Sequence, residues 1–384
     1  MHLLNFRCLA LGIARCLCLI IFCNAKVKAQ PVANIRSLKF INEYDIPFGM
    51  RFQNTTVGGL SGIDYDATRK VYYLISDDKA SLGPCRFYTA EIYVSKKIDS
   101  VRITGVKSML QPNGKPYPGS KETLRYTPDP EAMRYDAKHR QLTWSSEGER
   151  VVGAKDTILQ NPAINNVSLT GAYLNNYQLP QNMQVQAIEK GTRSNGSLEG
   201  LAFANNYTTL FANSEEPLYE DGPRADTSDN NPWIRIVQFD AGTRQQTKQF
   251  AYHLERVAHP PFPAGGFQIN GVSDILWLGK NKLLAIERSF SFGRLDCTIK
   301  LFIADLSNAT DIKSVSSLKN NTAFVPATKK LLLNMDLLGI FIDNIEGVTF
   351  GPLLPNGHKT LVFIADNNFS PLAKSQVLLF EVIE

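Results

Sequence analysis

Five acidic residues, Asp77, Glu147, Glu215, Glu287 and Asp366, each close an apolar run, and each trails a short motif by a nearly constant interval. The motifs are Leu60-Ser61-Gly62-Ile63, Pro130-Glu131-Ala132-Met133, Leu198-Glu199-Gly200-Leu201, Ile269-Asn270-Gly271-Val272 and Ile345-Glu346-Gly347-Val348. Their second residues (Ser61, Glu131, Glu199, Asn270, Glu346) lie 70, 68, 71 and 76 residues apart, and the intervals to the closing acids are 16, 16, 16, 17 and 20. Brought together, Asp77, Glu131, Glu147, Glu199, Glu215, Glu287, Glu346 and Asp366 would form an oxygen-only site, with Asn270 and Ser61 as neutral members. Like charges in one site disfavour joint ionisation, and a bound cation relieves that. Carboxylate and amide oxygens suit calcium or magnesium better than zinc. The competing reading is that each acid accepts backbone hydrogen bonds and locks one repeat to the next. Among the cations, Arg288 follows Glu287, while Lys79 and Arg86 lie just after Asp77. A guanidinium can clamp a phosphate through two parallel hydrogen bonds, or it can pair with a neighbouring acid.

Other catalytic signatures are absent. Gly59-Leu60-Ser61-Gly62-Ile63 lacks the second glycine of a nucleophile elbow. The sequence has no His-Glu-x-x-His, no phosphate-cradling Gly-Lys-Ser/Thr loop, no dinucleotide fingerprint, and no metal-ligand spacing among its five histidines.

The elements that must position these residues are strands. Self-similarity at a fixed period marks a repeat architecture. A lead strand and a closing-acid strand form a hairpin, and alternating segments supply two outer strands per period. These are Phe87–Tyr93 and Ser100–Thr104 in the first period, Gly171–Leu174 and Gln184–Ile188 in the second, Trp233–Phe239 and Gln246–Phe250 in the third, and Thr298–Ala304 and Lys330–Leu333 in the fourth. The last period ends with Gln376–Val382 and is one strand short, which residues 35–46 can supply from the other end. The expectation is an all-β protein, a β-propeller of about five four-stranded blades closed by the N-terminal strand; six is the alternative if a blade hides in 108–130, 150–170 and 217–232. The inner strands would bring Glu131 beside Glu147, Glu199 beside Glu215, and Glu346 beside Asp366 at one mouth of the channel. The small residue after each lead position fits the crowded axis. The Pro- and Gly-rich inserts 219–231 and 259–268 should form lids or rims.

Residues 1–29 read as a signal peptide, with an apolar centre at Cys16–Cys23 and the small-residue site Val27-Lys28-Ala29. The mature chain, 30–384, is then expected as a single domain, secreted or periplasmic, monomeric and without membrane insertion. The full chain has 41 basic and 36 acidic residues; the leader removes Arg7, Arg15, Lys26 and Lys28, so 41 less four leaves 37 against 36. That balance excludes a nucleic-acid footprint. Cys85 and Cys297 remain after processing; in an exported protein they either pair or stand as two free thiols.

Taken as an ordered set, Gly-Leu-Ser-Gly-Ile-Asp-Tyr-Asp, Asp-Pro-Glu-Ala-Met, Leu-Glu-Gly-Leu-Ala-Phe, Ile-Asn-Gly-Val-Ser-Asp and Ile-Glu-Gly-Val-Thr-Phe resemble the "esterase-like activity of phytase" family of secreted bacterial proteins, over roughly residues 50–384. The resemblance implies hydrolysis of a small phosphorylated substrate. By position, Glu131, Glu199 and Glu346 match the family's recurring glutamate and are the expected catalytic residues. Calcium, or another divalent cation, is the expected cofactor, with Arg288, Arg86 and Lys79 on the substrate. A non-catalytic binding scaffold and a metal-dependent lactonase are the alternatives.

Overall fold

The computed structural model describes residues 30–321 and 323–384; the expected signal peptide lies outside the described residues. Five four-stranded antiparallel sheets carry the fold. The first blade runs Leu60–Asp66, Val71–Ser76, Arg86–Val94 and Ile98–Ser108, inner to outer. The third is Leu198–Ala204, Thr209–Ser214, Trp233–Asp240 and Gln246–His253, and the fourth is Gln268–Gly279, Lys282–Ser291, Thr298–Asp305 and Thr328–Asn334. The fifth joins Asn344–Phe350, Thr360–Asp366 and Ser375–Ile383 to the N-terminal strand Ser37–Ile46, which pairs antiparallel with Ser375–Ile383. The ring is closed in this way, and the outer edge of Ser375–Ile383 is covered. Among the described residues there is no α-helix, only two short 3-10 turns, and no helix long and apolar enough to cross a membrane.

The second blade departs from the sequence expectation. Its outer strands are Ala163–Ser168 and Tyr173–Asn176, against the inner pair Pro130–Asp136 and Gln141–Ser146. Gln184–Ile188 forms no strand. Ala163-Ile164-Asn165-Asn166-Val167 was obscured because its polar residues are buried and bonded inside the sheet: Asn166 accepts from Thr143 and donates to Asn175. The irregular stretches hold no sixth blade; 150–170 contributes a small hairpin, Glu149–Val152 with Thr157–Gln160, beside the second blade.

Each blade packs face to face on the next. Phe350, Phe363 and Phe380 of the fifth blade meet Leu284, Ile299 and Leu301 of the fourth, and Met133 and Trp144 of the second meet Ile75 and Phe87 of the first. Inner strands are enclosed on both faces, so they read as continuous runs of small and apolar residues. Cys85 and Cys297 are both free and buried, one in the core between the first two blades and one between the fourth and fifth. The possibility of a disulfide is thereby corrected to two separate thiols.

A buried ion pair joins the inner strands at the centre of the ring. Arg134 donates to both oxygens of Asp274 at 2.7 and 2.5 Å and to the carbonyls of Ile63, Leu201 and Ile275. Asp274 also accepts from the backbone of Val348 at 2.9 Å. One side chain pair therefore ties inner strands from all five blades.

Candidate functional site

Every inner strand breaks its ladder in its first half, and the fourth does so again near its end. Register shifts lie between Leu60 and Gly62, Pro130 and Met133, Leu198 and Leu201, and Ile345 and Gly347. A bulge removes a residue from the ladder and re-aims its side chain. The residues so released include Ser61, Glu131, Glu199 and Glu346.

In the fourth blade the shift falls between Val272 and Asp274, which releases Ser273. Asn270 is thus not the fourth lead residue. Two contacts agree. Ser61 and Ser273 make the same bond, each hydroxyl donating to a carbonyl of the next blade, Glu131 at 2.7 Å and Ile345 at 3.0 Å. A Cβ on Gly200 would come within 2.7 Å of the Asp274 Cα, so Asp274 stands where the other blades have Gly or Ala.

The same shift moves the closing position. Leu60 faces Ser76, Pro130 faces Ser146, Leu198 faces Ser214 and Ile345 faces Ala365; in each case an acid follows. Val272 faces Glu287, and the residue that follows is Arg288. Glu287 points away from the mouth, where it accepts from Tyr252 at 2.8 Å, the Glu255 amide at 2.9 Å, Asn270 at 2.9 Å and Lys329 at 2.6 Å. Asn270 spends its amide on Glu287 and on the Glu255 carbonyl. Glu287 and Asn270 therefore leave the expected ligand set.

What converges is Asp77, Glu131, Glu147, Glu199, Glu215, Glu346 and Asp366 with a single arginine. Arg288 donates to Glu215 at 2.5 Å, and its Nε lies 3.7 Å from Glu346. Oxygens of Glu131, Glu147 and Glu199 gather within 4.8 Å of one another, and so do oxygens of Asp77, Asp129 and Glu131. Asp129 was missed in the sequence, although Asp-Pro-Glu places it two residues before a lead position. Lys79 pairs with Asp129 at 2.7 Å and with Glu149 at 3.5 Å, and is one-third exposed at the rim. Arg86 does not face the mouth. It is fully buried and its donors go to Asp78 at 2.6 Å, Tyr88 at 2.7 Å and the carbonyls of Thr56 and Pro84. The expected substrate contact at Arg86 is corrected to a structural ion pair.

The carboxylates differ in how they are satisfied. Glu147 accepts from the Gly196 and Ser197 amides, Asp366 from Asn368, and Glu346 from Asn344. Glu131 and Glu199, each 7% exposed, have no hydrogen-bond partner for their carboxylates among the described residues. Burial first, then the neighbouring acids, hold Asp77, Glu131 and Glu199 well above the usual carboxylate range. The same causes raise Glu147 and Glu346 to about 8, and burial raises Asp366 to about 7. Arg288 is held charged by Glu215 and Glu346 in spite of its burial. Orphaned carboxylates among like charges are what a hard, oxygen-seeking cation neutralises. The donor set fits calcium or magnesium.

A profile of the family described as "Phytase-like: Esterase-like activity of phytase" matches residues 55–369. No curated protein matches. Among solved structures, the Pseudomonas aeruginosa periplasmic gluconolactonase PpgL is 10% identical, with 86% of this chain and 90% of that chain covered at a TM-score of 0.36. An N-acetylgalactosamine deacetylase from F. plautii, solved with blood group B trisaccharide, is 10% identical over 90% of this chain and 95% of that chain at 0.43. The RRP9 WD40 repeats are 10% identical over 90% and 100% at 0.37. Likeness at this level transfers no activity.

Proposed function

Because this chain belongs to the phytase-like family described by an esterase-like activity of phytase, we propose that it is an exported, monomeric hydrolase of phosphoric monoesters that works with a divalent cation. The observation that supports this most is the unpaired state of Glu131 and Glu199 amid six further acids at one opening. Asp77, Asp129, Glu131, Glu147 and Glu199 would hold the cation, with calcium the best match to an all-oxygen donor set. Bound there, a divalent cation supplies Lewis acidity: it neutralises phosphate charge and lowers the pKa of water.

The chain's own groups do the rest. Arg288 is fixed by Glu215, and its Nε has no hydrogen-bond partner. That leaves one fork of the guanidinium to orient a phosphate oxygen and to stabilise charge as it develops. Lys79 brings an ammonium to the rim for a second anionic group of the substrate. Glu346, raised to about 8, can hold a proton at neutral pH. Ser61 and Ser273 donate to backbone carbonyls and to no base, so neither is activated as a nucleophile. Water is the attacking group in this reading, and no covalent intermediate forms.

Purified protein assayed on p-nitrophenyl phosphate, phytate and a simple lactone, with calcium or with chelator, tests the reading. Calcium-dependent release of phosphate is expected. Turnover of the lactone alone would move the reading to a lactonase, and turnover of none would leave a binding scaffold.

A further inference from the structure

The acids around the mouth fall into two unequal halves. On one side Glu215 and Glu346 share the single positive charge of Arg288, so part of their charge is answered inside the protein. On the other, oxygens of Asp77, Asp129 and Glu131 gather within 4.8 Å, as do those of Glu131, Glu147 and Glu199. Glu131 is common to both groups. It carries two carboxylate oxygens, is nine-tenths buried, and has no hydrogen-bond partner among the described residues. Glu199, equally buried and also without a partner, points into the second group only.

The two groups are not equivalent. Inside the Glu131–Glu147–Glu199 group no lysine or arginine makes an ion pair among the described residues. In the Asp77–Asp129–Glu131 group, Lys79 places its ammonium 2.7 Å from Asp129. Lys79 is one-third exposed and also reaches Glu149 at 3.5 Å, so it has an anion to move to at the rim.

We propose that the mouth takes two divalent cations that share Glu131, and that Lys79 holds the place of the second until calcium displaces it. This rests on the reading of the mouth as a metal site, and it adds number, order and a gate. The first ion enters the Glu131–Glu147–Glu199 group, where no ion pair has to break. The second enters the Asp77–Asp129–Glu131 group, and its apparent affinity is lowered by the ion pair it must break. Two cations that share a carboxylate can engage both the attacking and the leaving oxygen of a phosphoryl group.

Calcium titration by calorimetry, with bound metal counted after gel filtration, reads this out without any turnover. The wild-type chain is expected to bind two ions in a tight and a weaker step. Asp129→Asn is expected to keep the tight step and lose the weaker one. Lys79→Gln is expected to keep both and to tighten the weaker by about two- to fivefold, the size of one modest ion pair. Glu131→Gln is expected to lose the weaker step and weaken the other at least tenfold, while its metal-free melting temperature stays the same or rises, which shows that the variant folds. A single ion in the wild-type chain, two ions untouched by Asp129→Asn, or a weaker step unchanged by Lys79→Gln would overturn the proposal. Two ions in a chain that hydrolyses no phosphoester would remove the proposed function and leave this inference standing; turnover with one ion would do the reverse.

Discussion

The difference between Glu287 and Glu199 is where a residue-level reading is most exposed to test. Both are buried glutamates of an inner hairpin, yet Glu287 accepts four hydrogen bonds and Glu199 none. Glu287→Gln leaves the Lys329 ammonium without its buried partner, so it should cost about 3 kcal/mol in denaturant unfolding and leave calcium affinity unchanged. Glu199→Gln should do the opposite: calcium affinity falls at least tenfold, kcat falls by roughly 10²–10³, and metal-free stability is kept or improved. Arg288→Lys keeps the charge but loses the fork. It should lower kcat/KM for phosphoesters by roughly tenfold or more, with folding intact. Calorimetry and steady-state assays on these variants separate a mouth ligand from a lock between strands. The acid-rich motifs were legible as a set. That Arg288, not Glu287, stands among the mouth acids was not, because neighbouring residues on a strand face opposite ways and a one-residue slip exchanges them.

At the level of elements, the bulge in the first half of each inner strand does the aiming, and the small residue beside it permits the approach. A Cβ on Gly200 would lie 2.5 Å from the Asn213 side-chain oxygen and 2.7 Å from the Asp274 Cα. Gly200→Ala must push apart two blades where their inner strands touch, so it should destabilise the chain by about 1–3 kcal/mol in denaturant unfolding and weaken calcium binding through the displaced Glu199. The closing strand Ser37–Ile46 can be tested by removing residues 30–46. The fifth blade then ends in a bare edge, and the melting temperature should drop by roughly 10 °C or more, with concentration-dependent light scattering. Strand patterning revealed four of the five blades almost to their ends. It failed in the second, where Asn165 and Asn166 sit in a buried strand because their polar atoms are satisfied across the sheet.

Over the whole molecule there are two buried charge systems, the ion pair at the centre of the ring and the mouth. Asp274, pushed up to about 6 by burial against the pull of Arg134, and Arg134 itself join the inner strands. Arg134→Met should cost about 3–5 kcal/mol, because it leaves the Asp274 carboxylate buried and unpaired. The mouth acids act in the other direction. Their folded pKa values are raised above those of the unfolded chain, to about 8 for Glu147 and Glu346 and about 7 for Asp366. The folded state therefore binds more protons than the unfolded one from about pH 4.5 upward, and stability falls as pH rises through that window. Without metal, the melting temperature should decline between pH 5 and pH 8. Calcium should raise it more at pH 8 than at pH 5, since the ion competes with protons for the same oxygens. A metal-free melting temperature that climbs over this range would contradict the arrangement. The repeat period, the ring closure and the acidic character of one mouth follow from the sequence alone, because periodic patterning and residue chemistry are local properties. Which acids share a neighbour, which arginine is spent in a buried pair, and which residue a bulge turns inward were decided only in the folded ring. Those outcomes depend on register and on contacts between different blades, and a linear chain does not carry them on its face.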